Sequence, residues 1–124
     1  MPRICHRATT RSSRLEARFA LYWSGLGGPE LKREFVFHPE RKWRADFAHL
    51  ESKTLLEIEG GVFIKGGGRH NRAAGFIADA EKYLEAFLAG WNVVRLTEAQ
   101  ITAPLIERLI RRVLENSRGA ARQG

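Results

Sequence analysis

Apolar and polar positions along the 124-residue chain fall into seven segments of two different periods. From Arg14 to about Leu26, the residues Leu15, Phe19, Leu21, Tyr22, Trp23 and Leu26 suit one short helix, which the cluster Gly25, Gly27, Gly28 and Pro29 ends. Glu34–His38 then alternates, with Phe35 and Phe37 placed as on a strand, until Pro39 and Glu40 interrupt it. Trp43–Ala48 puts Trp43, Ala45 and Phe47 on one face and Arg44 and Asp46 on the other. Thr54–Glu59 puts Leu56 and Ile58 on one face, and Leu55, Glu57 and Glu59 on the other. If Glu51 and Ser52 form the turn between these two strands, Leu50 faces Lys53 and Asp46 falls opposite Glu57.

After a stretch holding Gly60, Gly61, Gly66, Gly67 and Gly68 the period becomes helical. Phe76, Ile77, Ala80, Tyr83, Leu84, Phe87 and Leu88 make one apolar stripe, which Gly90 ends. Trp91–Leu96 reads as a compact strand. A last amphipathic helix carries Leu105, Ile106, Leu109, Ile110, Val113 and Leu114, with Pro104 in its first turn. The order α-β-β-β-α-β-α predicts an α/β domain of two or three layers on a mixed four-stranded sheet. With no repeat and no internal linker, the expected organisation is a basic flexible arm over 1–13, a single domain over 14–116 and a flexible basic tail over 117–124.

Composition narrows the class. Hydrophobic residues at 44% and charged residues at 28% exclude a disordered or fibrous chain. No apolar run reaches the ~18 residues that span a bilayer, so no membrane partner is expected. The Arg-rich N-terminus lacks the apolar segment of a secretory signal. Cys5 stands alone, and no Cys/His cluster has zinc spacing, which predicts a reducing, cytoplasmic setting.

Charge changes the picture further. The formal net charge is +7, and it sits at the ends: residues 1–18 and 108–124 each hold five arginines against one glutamate. The middle is nearly neutral. Arginine forks onto phosphate, so this distribution points to nucleic acid held by the periphery.

Asp46, Glu57 and Glu59 carry the candidate chemistry. Glu57 and Glu59 lie two apart on a strand and share a face, and the hairpin brings Asp46 across from Glu57. Like charges directly opposite on a sheet destabilise it, with Cβ atoms only ~5 Å apart. A hard divalent cation such as Mg²⁺ resolves the conflict, since it takes carboxylates, waters and phosphate oxygens. The alternative is a pair of solvated acids answered by Arg44 or Lys53.

On the following helix, Asp79 and Lys82 fall on one flank of the stripe and Glu81 and Glu85 on the other. Asp79 and Lys82 form either a functional pair or a simple i,i+3 ion pair. The segment 61–72 combines glycines with Lys65, Arg69, His70 and Arg72, a composition suited to phosphate, although it is neither a Walker A loop nor a dinucleotide fingerprint. His70 is placed to act as general acid or base, or is a bystander. His6, His38 and His49 read as structural.

Taken in order, these pieces resemble a family. Arg44-Ala-Asp46-Phe-Ala48, Glu57-Ile-Glu-Gly-Gly61, Gly67-Gly-Arg-His70, Asp79-Ala-Glu-Lys82-Tyr83 and Gly90-Trp-Asn-Val-Val-Arg-Leu-Thr97 look like the motif string of small phage and prophage endonuclease-like proteins. Those proteins belong to the PD-(D/E)XK nuclease superfamily and are related to the very-short-patch repair nucleases. The resemblance spans about 34–97. It implies a restriction-endonuclease-like core and a metal-dependent DNA endonuclease (a phosphodiesterase) of a bacterial or phage-infected cell, using Mg²⁺ or Mn²⁺ and no small-molecule cofactor.

By that resemblance Asp46, Glu57 and the Ile58 carbonyl hold the metal. Glu59 stands where the superfamily usually has lysine, and Ala45 where it has proline. The water-activating role therefore falls to Glu59, Lys82 or His70, with Lys82 placed as a lysine migrated onto the helix. Arg44, Lys65, Arg69, Arg72 and Asp79 are the residues expected at the nucleic acid. The competing expectations are a nucleic-acid-binding module that has lost catalysis, and a protein–protein adaptor using Trp23 and Trp43. A homodimer is compatible with either nuclease-fold reading.

Overall fold

The computed structural model describes residues 11–60 and 69–123, with side chains described for 13–60 and 73–119. The elements are α1 (Arg11–Gly25), β1 (Lys32–Val36), β2 (Arg44–His49), β3 (Thr54–Glu59), α2 (Arg69–Leu88), β4 (Asn92–Thr97), a 3-10 turn at Glu98–Gln100 and α3 (Ala103–Gln123). This is the expected order. The strands form one mixed sheet, β1-β2-β3-β4, with β1, β2 and β3 antiparallel and β3 parallel to β4. Among the described residues no helix is long and apolar enough to cross a membrane.

Two separate cores make three layers. On one face, Phe19 and Trp23 of α1 and Ile106, Ile110 and Val113 of α3 pack on Phe47, Leu56, Ile58 and Leu96. On the other, Ala86 of α2 packs with Leu55, Ala48, Trp91, Phe37 and Ala45. Glycine matters at the end of α1. Gly27 takes a φ of +80°, and the Gly28 backbone lies so close under the Trp23 indole that a Cβ there would collide with the ring. The indole Nε1–H in turn donates to the Pro29 carbonyl, 2.6 Å away.

The β2–β3 hairpin has the expected register. Phe47 pairs with Leu56, Ala48 with Leu55 and His49 with Thr54, and Lys53 N–H closes the turn on Leu50 O at 3.1 Å. Buried His49 supports that turn through Ser52 Oγ at 2.8 Å, so its role is structural. The paired register stops at Phe47↔Leu56, and the next residue of β2, Asp46, turns its carboxylate to the Ile58 N–H.

The expected side-chain alternation fails at that rung. Trp43, Ala45 and Phe47 do not share a face: Phe47 belongs to the α1/α3 core, while Ala45 and Trp43 belong to the α2 core. Strand β1 turns over at the same level. Arg33 lies over the Phe47 ring, whereas Phe35 meets Trp91 on the opposite side. The β1–β2 pairing passes from Arg33↔Phe47 to Phe35↔Ala45, and the skipped residue Glu34 has a φ of +50°. A left-handed residue rotates the chain about its axis, so both strands exchange faces between Glu34 and Asp46.

Other expectations need adjustment. β1 lies two residues earlier than Glu34–His38, although Phe37 N–H still reaches Trp43 O at 3.3 Å. His38 Nδ1 accepts the backbone N–H groups of Glu40 and Arg41 and so folds the turn after Pro39. Arg69, His70 and Arg72 open α2 instead of lying in a loop, and their side chains, like all of Lys65, lie outside the described residues. The helix α3 continues to Gln123, through the segment expected as a flexible tail, because its Ala and Arg residues are good helix formers. The arm expected over 1–13 is helical from Arg11, and its first ten residues lie outside the described ones.

The apolar stripe of α2 points outward. Phe76, Ile77, Leu84, Phe87 and Leu88 are all more than half exposed, while the flank bearing Lys82 and Ala86 faces the sheet.

Candidate active site

The face exchange creates a fork in the sheet. The paired rungs of β2 and β3 end at Phe47↔Leu56, while β3 continues along β4 through Ile58↔Leu96 and Glu59↔Thr97. Asp46 fills the opening. Its Oδ2 accepts the Ile58 backbone N–H at 2.8 Å, taking a ladder donor that β2 main chain would otherwise receive. Burial raises the Asp46 pKa, the Ile58 hydrogen bond opposes that rise, and nearby Glu34 adds to it.

Asp46 stands between two acidic groups. Toward β1 and α1, its carboxylate gathers with those of Glu34 and Glu16, one oxygen of each lying within 4.8 Å of the others. Toward α2 lies Glu57. Burial is the main reason that the Glu57 pKa rises to about 7; Lys82 pulls it down, and the charges of Asp46 and Glu59 push it up. Glu57 Oε1 meets Lys82 Nζ at 3.5 Å and accepts the Tyr83 hydroxyl at 3.4 Å. Its Oε2 is buried with no hydrogen-bond partner among the described residues. A lone buried carboxylate oxygen is costly, and it is the kind of atom that a cation satisfies.

The remaining acids have cations of their own. Glu59 takes Arg95 at 2.8 Å, Glu16 takes Arg33 at 3.2 Å, and Glu34 takes Arg44 at 3.7 Å. Arg95 also reaches Asp79 at 3.8 Å and lies over the Tyr83 ring at 4.5 Å. Among the described residues, Asp46 alone of these six carboxylates has no cation within ion-pair distance. Burial raises the Glu16 pKa too, helped by Asp46 and Glu34.

At the fork Asp46 meets Ile58 and Glu57 meets Lys82, but the three carboxylates that converge are Asp46, Glu34 and Glu16, not the expected Asp46, Glu57 and Glu59. Glu59 and Asp79 are instead held by Arg95, and Arg44 by Glu34. Asp79 and Lys82 do not pair with each other, since each reaches across to the sheet. His70, Lys65, Arg69 and Arg72 lie outside the described side chains.

Two participants carry no local mark of their role. Glu34 and Glu16 reach Asp46 from β1 and α1, and only the tertiary structure puts them there. Tyr83 and Arg95 were legible in part: both stand in the motif string, and Arg95 pairs with Glu57 in the β3–β4 register.

Hard oxygen donors and an orphaned carboxylate oxygen at one fork suit a divalent cation of the Mg²⁺ class. The arrangement also fits proton handling, since Glu57 changes charge near neutrality beside a lysine and a phenol. No family model, curated protein or solved structure matches the chain.

Proposed function

We propose that this protein is a metal-dependent DNA endonuclease, hydrolysing phosphodiester bonds at the β2–β3 fork, on a restriction-endonuclease-like core. The observation that supports the reading is Asp46 on the Ile58 N–H, one residue along β3 from buried Glu57, with Lys82 of α2 on Glu57. A β-hairpin that presents two acids beside a lysine is the arrangement this chemistry needs, and the motif string points to the same residues.

Asp46, Glu57 and the Ile58 carbonyl would hold the cation, with Glu16 or Glu34 as further oxygen donors. When bound, such an ion polarises the scissile phosphate and acidifies a coordinated water. The chain's own groups do the rest. Lys82 supplies a positive charge at Glu57, in the role that the superfamily gives to the lysine replaced here by Glu59. Glu57 can exchange a proton near neutral pH, with Tyr83 fixing its orientation. Arginines at the two ends of the chain hold flanking backbone, giving salt-sensitive affinity with little base selectivity.

The test is cleavage of supercoiled plasmid and four-way-junction DNA in Mg²⁺ or Mn²⁺, with Asp46→Ala and Glu57→Ala beside the parent chain. Cleavage by the parent and its loss in both variants is expected. Full activity in both variants overturns the assignment of these residues.

One observation favours a second reading, a nucleic-acid-binding module without catalysis. The residue at the lysine position, Glu59, is neutralised by Arg95, which leaves it unsuited to activating water. That reading requires tight, salt-dependent DNA binding and no cleavage with any divalent ion.

A further inference from the structure

We infer that the outer face of α2 is a self-association surface, on which a second copy of this chain docks its own α2 antiparallel. Phe76, Ile77, Leu84, Phe87 and Leu88 are exposed at 73%, 65%, 55%, 71% and 65%. Together they expose roughly 600 Å² on one helix face, at the top of the ~300–600 Å² of an ordinary monomer's largest apolar patch and about three quarters of the ~800 Å² per partner of a standard interface.

The spacing names the occupant. Ala73, Ile77, Ala80, Leu84 and Phe87 follow one another at alternate intervals of four and three, which is the seam of a two-helix packing. Folded back on itself about Ala80, the seam is self-complementary. Ala80 meets its own copy on the two-fold axis, Ile77 meets Leu84, and bulky Phe87 meets small Ala73. An isologous contact needs this match of large against small in one sequence.

Most charges flanking the seam already have partners, although the chain's net charge is +7. Asp79 and Lys82 are tied to Arg95 and Glu57, and Glu81 and Glu85 to Arg41 and His38. Lys82 also faces away from the seam, so the dimer leaves both forks open. The surface is independent of whether the fork cleaves DNA.

Sedimentation velocity on the full chain across a concentration series tests this. The parent chain is expected at twice its 14.1 kDa mass. Ile77→Glu and Leu84→Lys alone should each weaken association at least about 30-fold, as loss of a central contact does. Both positions are exposed, so circular dichroism should report an unchanged fold. Mixing the two variants should restore a dimer, because antiparallel docking sets Glu at 77 against Lys at 84 in one contact and leaves Leu84 against Ile77 in the other. A parent chain that stays monomeric at ~100 µM, single variants that still dimerise, or a mixture that stays monomeric would each overturn the proposal.

Discussion

Asp46 reaches across the β2–β3 fork to accept the Ile58 backbone N–H, 2.8 Å away, where a strand carbonyl would ordinarily serve. The bond holds a charged side chain in the sheet and keeps the strands apart beyond Phe47. It also explains why Asp46 tolerates a crowd of acids: a backbone donor stabilises its charge while Glu34, Glu59 and burial oppose it.

Substitution at Asp46 separates those two effects. Asp46→Ala leaves the Ile58 N–H without its acceptor and should cost about 1–3 kcal/mol in denaturant unfolding. Asp46→Asn keeps an acceptor oxygen and removes the repulsion, so its stability at pH 8 should equal or exceed that of the parent. Equal stability of the Ala and Asn variants would mean that the Ile58 bond contributes nothing. Cleavage should be lost in both.

Glu57 should make stability fall as pH rises. Its folded pKa of about 7 lies above its ordinary value of 4.5, so between these limits the folded chain holds a proton that the unfolded chain has released. The contribution is complete below 4.5 and lost as pH passes about 7. The raised pKa values of Asp46 and Glu16 tilt the same way. Thermal unfolding in chelator should show Glu57→Gln with a flatter profile and a higher Tm than the parent above pH 7. A parallel pair of profiles would rule out this account of Glu57.

Lys82 lowers the Glu57 pKa, so its removal should raise it. In Lys82→Met the carboxyl titration of Glu57, followed by carbon NMR, is expected to move above the parent's midpoint. In Lys82→Arg it should stay near the parent value. An unmoved midpoint in the Met variant would show that the 3.5 Å contact is absent in solution.

Gly28 should reject even a methyl group. A Cβ there meets the Trp23 indole, which is buried in the α1/α3 core and anchored to Pro29 O. Gly28→Ala is expected to lower unfolding stability by about 1–3 kcal/mol, with altered tryptophan fluorescence. Gly25→Ala, where nothing stands in the way, is the control and should be close to neutral or stabilising.

Much of the site was legible in the chain because its residues are local to one hairpin. A two-residue turn leaves little freedom of register, so Phe47 falls opposite Leu56 from spacing alone, with Asp46 and Glu57 the next residues along. Lys82 could be placed from helical geometry once its flank was separated from the apolar stripe. Glu16 could not. It lies 30 residues before Asp46 and is set beside it by α1 packing through Leu15 and Phe19.

Sequence alone determined which elements form, their order and the hairpin register, since each follows from short-range periodicity and turn length. The tertiary structure decided which way each face points. A stripe's period says that residues share a side of a helix, and says nothing of what that side meets. In α2 the sheet beneath holds a buried Glu57 that meets Lys82 and Tyr83, so this flank turns inward and the apolar stripe outward. The same holds at Glu34 and Asp46, where strict alternation yields because one left-handed residue and one carboxylate–backbone bond are compatible only with a sheet that changes faces.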